Sequence, residues 1–314
     1  MKWDDRIGRR LKLHDLHVLL TVAELGSMGK AAERLGVSQP LVSKAIADME
    51  HTIGVRLLDR TPRGVETTSY GLALLRRGLV AFDELRQGIK DIEYLTDPTI
   101  GEVRIGCPEP ISAGLLSAVI DRFSRQFPGA IVSMTPANDM SKELLRDRKV
   151  DFLLGRVADP FTEDDLDAEV LYHDRIYLVS SQNSRWGRRR KIELAELIEA
   201  PWLISPTMYG SVLADIFQAR GLAAPKICVK NYSTHQAINL LATGRFVTAF
   251  SGSLLRFTRV ADRFSFKLLP VDYETQSWPV AIVTLKNRIV SPVVQTFIES
   301  VREVAKPLTK RKII

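Results

Sequence analysis

Ser27-Met28-Gly29-Lys30-Ala31-Ala32-Glu33-Arg34-Leu35-Gly36-Val37-Ser38-Gln39-Pro40-Leu41-Val42-Ser43-Lys44-Ala45-Ile46 decides how the amino-terminal part of the chain is read. Ala31, Ala32 and Leu35 share one face of a short helix, and Val42, Ala45, Ile46 and Met49 share one face of a second. Gly36 can adopt the positive φ that ends a helix. Val37 plugs the angle between the two helices, and Ser38 is a good N-cap whose expected partner is the Leu41 N–H. Pro40 is tolerated in a first turn, where its missing donor would be unpaired anyway. Small alanines permit a close crossing. The outcome is a helix-turn-helix, a motif whose second helix enters the DNA major groove with its amino-terminal residues at base edges. An ordinary αα corner has the same apolar pattern, but it more often carries Glu/Lys pairs outside. Here the outward positions are Gln39, Pro40, Ser43, Lys44 and Ala47, short, neutral or basic.

Outward from this stretch, Leu13, Leu16, Leu19, Leu20 and Ala23 repeat at helical spacing and predict a supporting helix, with Ser27 capping the next. Downstream, Val55 to Thr68 reads as two short extended pieces around Thr61-Pro62-Arg63-Gly64, a hairpin or wing. Arg60 and Arg63 stand at its tip, Arg56 at its base, and Thr67 where it ends; a wing beside a helix-turn-helix reaches phosphate or the minor groove. A long helix follows, with Leu72, Leu75, Leu79, Phe82, Leu85, Ile89, Ile92 and Leu95 in one stripe. Its expected partner is the same helix of a second chain, which would bring two reading helices to two half-sites of an interrupted palindrome. Packing on its own domain is the other way to cover the stripe. Asp97-Pro98-Thr99-Ile100-Gly101 breaks the helix.

From Glu102 short apolar strands alternate with helices, the pattern of βαβ units in a mostly parallel sheet. Leu171 to Val179 reads as one strand that crosses to a second lobe, and Pro292 to Ala305 as a final helix returning to the first. The expected class is α/β overall: a winged helix-turn-helix over 1–68, a linker helix over 69–97, and a two-lobed effector domain over 102–314. Its first lobe would take about 102–168 and 277–305, its second about 169–276.

Composition agrees with this and narrows it. A net charge of +7 favours an anionic partner without identifying one. Two cysteines, Cys107 and Cys228, lie far apart and offer no metal-ligand spacing, so neither metal nor cofactor is expected. Nothing approaches a membrane-spanning apolar run or a secretory leader, which leads us to expect a cytoplasmic protein. The basic run Arg185–Lys191 reads as a loop. An enzyme with Cys107 as nucleophile and His173 or His235 as base lacks any supporting motif, and a cysteine inside a strand is usually a small core residue. A solute-binding transport component would not carry the helix-turn-helix.

With these residues in view, the chain resembles the LysR-type transcriptional regulators along nearly its whole length. The most specific segments are Ala31-Ala32-Glu33-Arg34-Leu35, Ser38-Gln39-Pro40-Leu41-Val42-Ser43-Lys44, Ile53-Gly54-Val55-Arg56-Leu57-Leu58-Asp59-Arg60 and Thr67-Thr68-x-x-Gly71. The resemblance implies a sequence-specific DNA binder, dimeric or tetrameric, whose DNA contacts respond to a small-molecule co-inducer; RNA polymerase is expected as a further partner. Gly29 departs from the polar residue more usual in the family, as does Pro110 from a common hydroxyl. In a two-lobed fold the ligand sits in the crevice, at strand ends and helix amino termini. The candidate residues are Glu109, Pro110, Ser112, Thr135, Ser205, Thr207, Phe250 and Ser251. Glu109 sits badly beside an anion, which favours a neutral polyol or sugar-like effector, or a cationic one, over a carboxylate.

Overall fold

The computed structural model describes residues 11–62, 64–137, 141–158, 160–205, 210–231, 233–258, 265–274 and 277–309. The chain forms two compact units, 1–88 and 89–314.

The first unit opens with α1 (Leu13–Leu25), α2 (Met28–Leu35) and α3 (Gln39–Ile53). Val18, Leu19, Val22, Ala31, Ala32, Val42, Ile46 and Met49 form its core. Gly36 closes α2 at φ 66°, as its position between two apolar faces requires. Ser27 caps α2, its hydroxyl accepting from the Lys30 N–H. Ser38 precedes α3 in extended conformation, but its hydroxyl makes no capping bond: the Leu41 N–H donates instead to the Ser38 carbonyl at 3.0 Å. The expected side-chain cap is therefore replaced by a backbone turn.

The wing is β1 (Leu58–Thr61) paired antiparallel with β2 (Gly64–Thr67). It leans on the end of α1, where the Val65 N–H donates to the Gly26 carbonyl at 2.9 Å. The Thr67-Thr68-x-x-Gly71 pattern has a local cause. Thr68 donates its hydroxyl to the Arg56 carbonyl and accepts the Gly71 N–H, which fixes the start of α4 (Ser69–Thr96). A Cβ at Gly71 would lie 2.1 Å from the Leu57 carbonyl oxygen, so only glycine fits. Glu50 accepts the N–H groups of Leu57 and Leu58 at the same corner.

The stripe on α4 divides. Leu75 is buried in the core of the first unit, and Phe82 is half-buried with its ring 5.9 Å from that of His17. Leu79 is half-buried as well, while Leu72, Leu85, Ile89, Ile92 and Leu95 are exposed.

The second unit holds two five-stranded sheets. After β3 (Ile100–Cys107) comes a helical run with no break: α5 (Glu109–Ile111), a π turn at Ser112–Leu116, and α6 (Ser117–Gln126). The sequence suggested a turn over Pro108–Ser112; Pro108 instead stands immediately before the helix. Then follow β4 (Gly129–Pro136), α7 (Glu143–Arg146), β5 (Phe152–Arg156), β6 (Leu166–Asp174), β7 (Ile176–Ser181), β8 (Trp202–Ile204), α8 (Gly210–Gln218), β9 (Ile227–Lys230), α9 (Thr234–Ala242), β10 (Val247–Ser251), α10 (Gly252–Thr258), β11 (Phe266–Leu268), β12 (Trp278–Leu285) and α11 (Pro292–Ala305). The first sheet runs β4-β3-β5-β12-β6, the second β11-β7-β10-β8-β9. Phe123, Phe152 and Phe297 sit at the centre of the first lobe, and Trp202 and Phe217 meet edge-on in the second. The basic run is tied down locally: Trp186 is buried under the Arg185 guanidinium, and Arg189 pairs with Glu196.

The lobe boundary differs from the one expected at 168/169. All of β6 pairs with β12 in the first sheet, and β7 begins the second, so the crossing is Arg175. Asp174 fixes the break. Its carboxylate accepts the Arg175 N–H at 2.8 Å and the Ser253 hydroxyl at 2.5 Å, and the Gly252 N–H donates to the Arg175 carbonyl at 2.9 Å. Burial pushes the Asp174 carboxyl up, against the pull of these donors.

A buried ion cluster secures the first lobe. Asp151 accepts from the Arg104 guanidinium at 2.7 Å and from Arg288 at 3.1 Å, with Arg288 1% exposed. Burial pushes the Asp151 carboxyl up, but the Arg104 bonds and charge, with Lys90 behind them, outweigh it and hold it below the usual carboxylate range. Because the folded value is depressed, this stabilisation is present above the unfolded value and is lost as pH falls through the folded one.

Two outcomes follow. Gly71→Ala should destabilise the first unit by about 1–3 kcal/mol, the range for an inserted group that the backbone must move to admit, read as a lowered melting transition by calorimetry. Asp151→Asn should cost about 3–5 kcal/mol at neutral pH, as for a broken buried pair. In denaturant titrations repeated at several pH values, the variant should also lose less stability than the wild type on acidification below pH 4 or so.

Candidate reading head and interlobe cleft

The amino end of α3 presents an open polar surface. Ser38, Gln39, Pro40 and Lys44 are exposed and Ser43 half-buried, directly over a closed core. Gln39 turns toward the start of α2: its Oε1 would lie 3.8 Å from a Cβ at Gly29, as would the Ser27 hydroxyl. The missing side chain at Gly29 therefore leaves room beside Gln39 and Ser27. Leu41 is 49% exposed at the same tip, an apolar group suited to a thymine methyl. Thr67 is half-buried at the end of β2. Arg60 stands in β1 opposite Val65; its side chain, and the whole of Arg63, lie outside the described residues.

In the second unit a cavity of about 230 Å³ opens between the two lobes. Four of the expected residues line it: Glu109 and Pro110 from the first lobe, Ser205 and Phe250 from the second. Thr207 lies outside the described residues. Three expected residues do not line it. Ser112 belongs to the π turn and points its hydroxyl at the Met134 sulfur, 3.4 Å away. Thr135 is still within the β3–β4 ladder, opposite Gly106, and the cavity begins one residue later at Pro136. Ser251 accepts the Leu254 N–H at 3.3 Å, an internal bond at the start of α10. The Ser112 hydroxyl is thus taken up by a sulfur on β4, and the Ser251 hydroxyl by local cap bonding.

The sequence reading missed the opposite wall, where Asn231, Ser233 and Thr234 lead into α9. Ser233 caps the helix by accepting from the Gln236 N–H, and Asn231 bonds the Ser233 backbone on both sides. The Asn-x-Ser-Thr run before a helical pattern was the available signal. Glu109 reaches this wall from the other lobe: its carboxylate accepts the Thr234 N–H at 3.0 Å and also the Thr234 hydroxyl. The rest of the lining is largely apolar, with Pro108, Ala137, Leu203, Ile204 and Ala249.

Cys107 lies behind the cavity, buried, its thiol pushed up to about 11 by burial and by the Glu109 charge, against a Ser112 bond. A thiol held protonated in this way is a core group and a poor nucleophile. Among the described residues no cluster has the makings of a metal site, and no helix is long and apolar enough to cross a membrane.

The bacterial regulatory helix-turn-helix family of LysR type matches residues 13–72, and the LysR substrate binding domain matches 96–306. The chain is 30% identical over 295 residues to the transcriptional regulator TdcA of Escherichia coli, covering 93% of each chain. ArgP from Mycobacterium tuberculosis shares the fold at a TM-score of 0.70 and 21% identity, over 95% of this chain and 98% of that one. Full-length CbnR, solved with its target DNA complex, does so at 0.51 and 22%, over 94% of this chain and 100% of that one. The helix-turn-helix head, the two-lobed domain and these matches agree: the chain belongs to the LysR family of DNA-binding transcriptional regulators, whose second domain receives an effector.

Proposed function

We propose that the amino end of α3 reads base edges in the major groove, with Gln39, Ser43 and Lys44 as the specificity contacts and Ser27, Ser38, Pro40 and Thr67 beside them. Arg60 and Arg63 on the wing meet phosphate. The observation that carries this reading is the exposure of polar and basic side chains at the tip of α3 above a fully closed core. Two chains pair through the exposed part of α4, where Leu85, Ile89, Ile92 and Leu95 are 51–82% exposed at helical spacing. An apolar row of this kind marks an interaction surface. Pairing presents two tips to an interrupted palindrome. A small-molecule co-inducer in the cleft between the lobes changes how the tips reach their half-sites, and RNA polymerase is the partner through which this reaches transcription. Such a regulator works in the cytoplasm.

The operator can be selected from a random-sequence duplex pool and binding followed by fluorescence anisotropy. Lys44→Ala should weaken the selected site by about 1–3 kcal/mol and relax base preference at one position. Arg60→Ala should weaken all sequences alike and reduce the salt slope by about one. An unchanged preference in the first variant would remove Lys44 from the base-reading set. In sedimentation velocity, Leu85→Asp combined with Ile89→Asp should yield monomers, whereas a persisting dimer would place the interface elsewhere.

A further inference from the structure

Glu109 is the one charged side chain among the described residues that line the cavity of about 230 Å³. It is held at the amino end of α9, where the Thr234 N–H has no partner within the helix and the helix dipole favours a negative charge. That position is the natural seat for the acidic end of a ligand, and here the chain fills it with its own carboxylate. Two of the roughly four lone-pair directions of that carboxylate are taken by Thr234, which leaves the others to accept from a ligand. No lysine, arginine or histidine among the described lining residues would compensate a second negative charge. A ligand carboxylate in this cleft would thus meet an acceptor-only group across mostly apolar walls, while an ammonium group would meet a fixed counter-charge. Phe250, Leu203 and Pro110 offer contact to a hydrocarbon body.

We propose that Glu109 is the charge selector of the cleft: by occupying the amino end of α9 it turns away carboxylates and receives an ammonium group, so that the effector is a small organic amine with an apolar body. This rests on the reading that the cleft is where the effector binds. Glu109 acts by touching the ligand, and its bond to Thr234 sets where its free lone pairs point.

The test uses the full chain and three probes of one shape, benzylammonium, benzyl alcohol and benzoate, titrated by calorimetry. Wild-type protein should bind benzylammonium more tightly than benzyl alcohol and benzoate least, with about a tenfold gap between the charged pair, the size of one charge-assisted hydrogen bond. Glu109→Gln keeps the side-chain length and an acceptor for the Thr234 N–H, so the fold is retained. In that variant benzylammonium should lose about tenfold and benzoate should gain, closing or inverting the order. A loss of binding that struck all three probes equally would mark Glu109 as merely structural and overturn the proposal. So would a wild-type preference for benzoate, or an order left unchanged in Glu109→Gln. Ser205→Trp, which fills the cleft from the second lobe, separates the two levels of failure. If it abolishes binding while the charge order is wrong, the selector role alone falls. If the probes bind the same in Ser205→Trp, or none binds the wild type, the cleft is not the ligand site and the selector falls with it.

Discussion

Asp174 holds the turn between the two sheets, and the geometry of the cleft follows from it. Its carboxylate is nearly dry, yet it accepts from the next backbone N–H and from Ser253 at the start of α10. One side chain at the end of the first sheet thereby binds an element of the second lobe. Burying a charge is expensive unless donors surround it, so this position has few alternatives. The π turn adds a second tight contact across the lobes: a Cβ on Gly114 would lie 3.1 Å from the Leu254 Cα. Between these fixed points the walls of the cleft face each other, and Glu109 can reach Thr234.

What was legible in the sequence was local. The helix-turn-helix could be read because Ala31, Ala32, Val42, Ile46 and Gly36 each satisfy a rule that spans a turn or two of chain. The wing and the start of α4 were legible as a pattern, Thr67-Thr68-x-x-Gly71, but its cause was not. Gly71 is required by the Leu57 carbonyl, which arrives from the other end of the wing. The lobe crossing was misplaced for a related reason. Leu171 to Val179 is a continuous strand-like run, and what interrupts it is a bond to Ser253, far along the chain.

The cleft shows the same limit more sharply. Hydroxyl residues chosen by type and position divided by where the backbone carries them: Ser205 lines the cavity, whereas Ser112 faces the Met134 sulfur and Ser251 accepts the Leu254 N–H. The Glu109–Thr234 contact joins residues more than a hundred positions apart and could not be read from spacing. Glu109 had stood out by charge alone; its partner supplies the reason a carboxylate is stable there. Likewise the stripe on α4 was visible as a period, but only packing distinguishes Leu75, covered at home, from Ile92 and Leu95, left bare.

The π turn at Ser112–Leu116 also bears on how this chain aligns with others. A wider turn absorbs one extra residue while the helix on either side keeps its phase. A homologous chain shorter by one residue in this stretch would form regular α-helix and still present its counterparts of Glu109 and Phe123 on the faces they hold here. A chain of equal length that straightened the turn would rotate Glu109 by about 100° relative to the core stripe. A one-residue gap between 112 and 116 is therefore the neutral change, and the ungapped match is the one that would misassign the cleft.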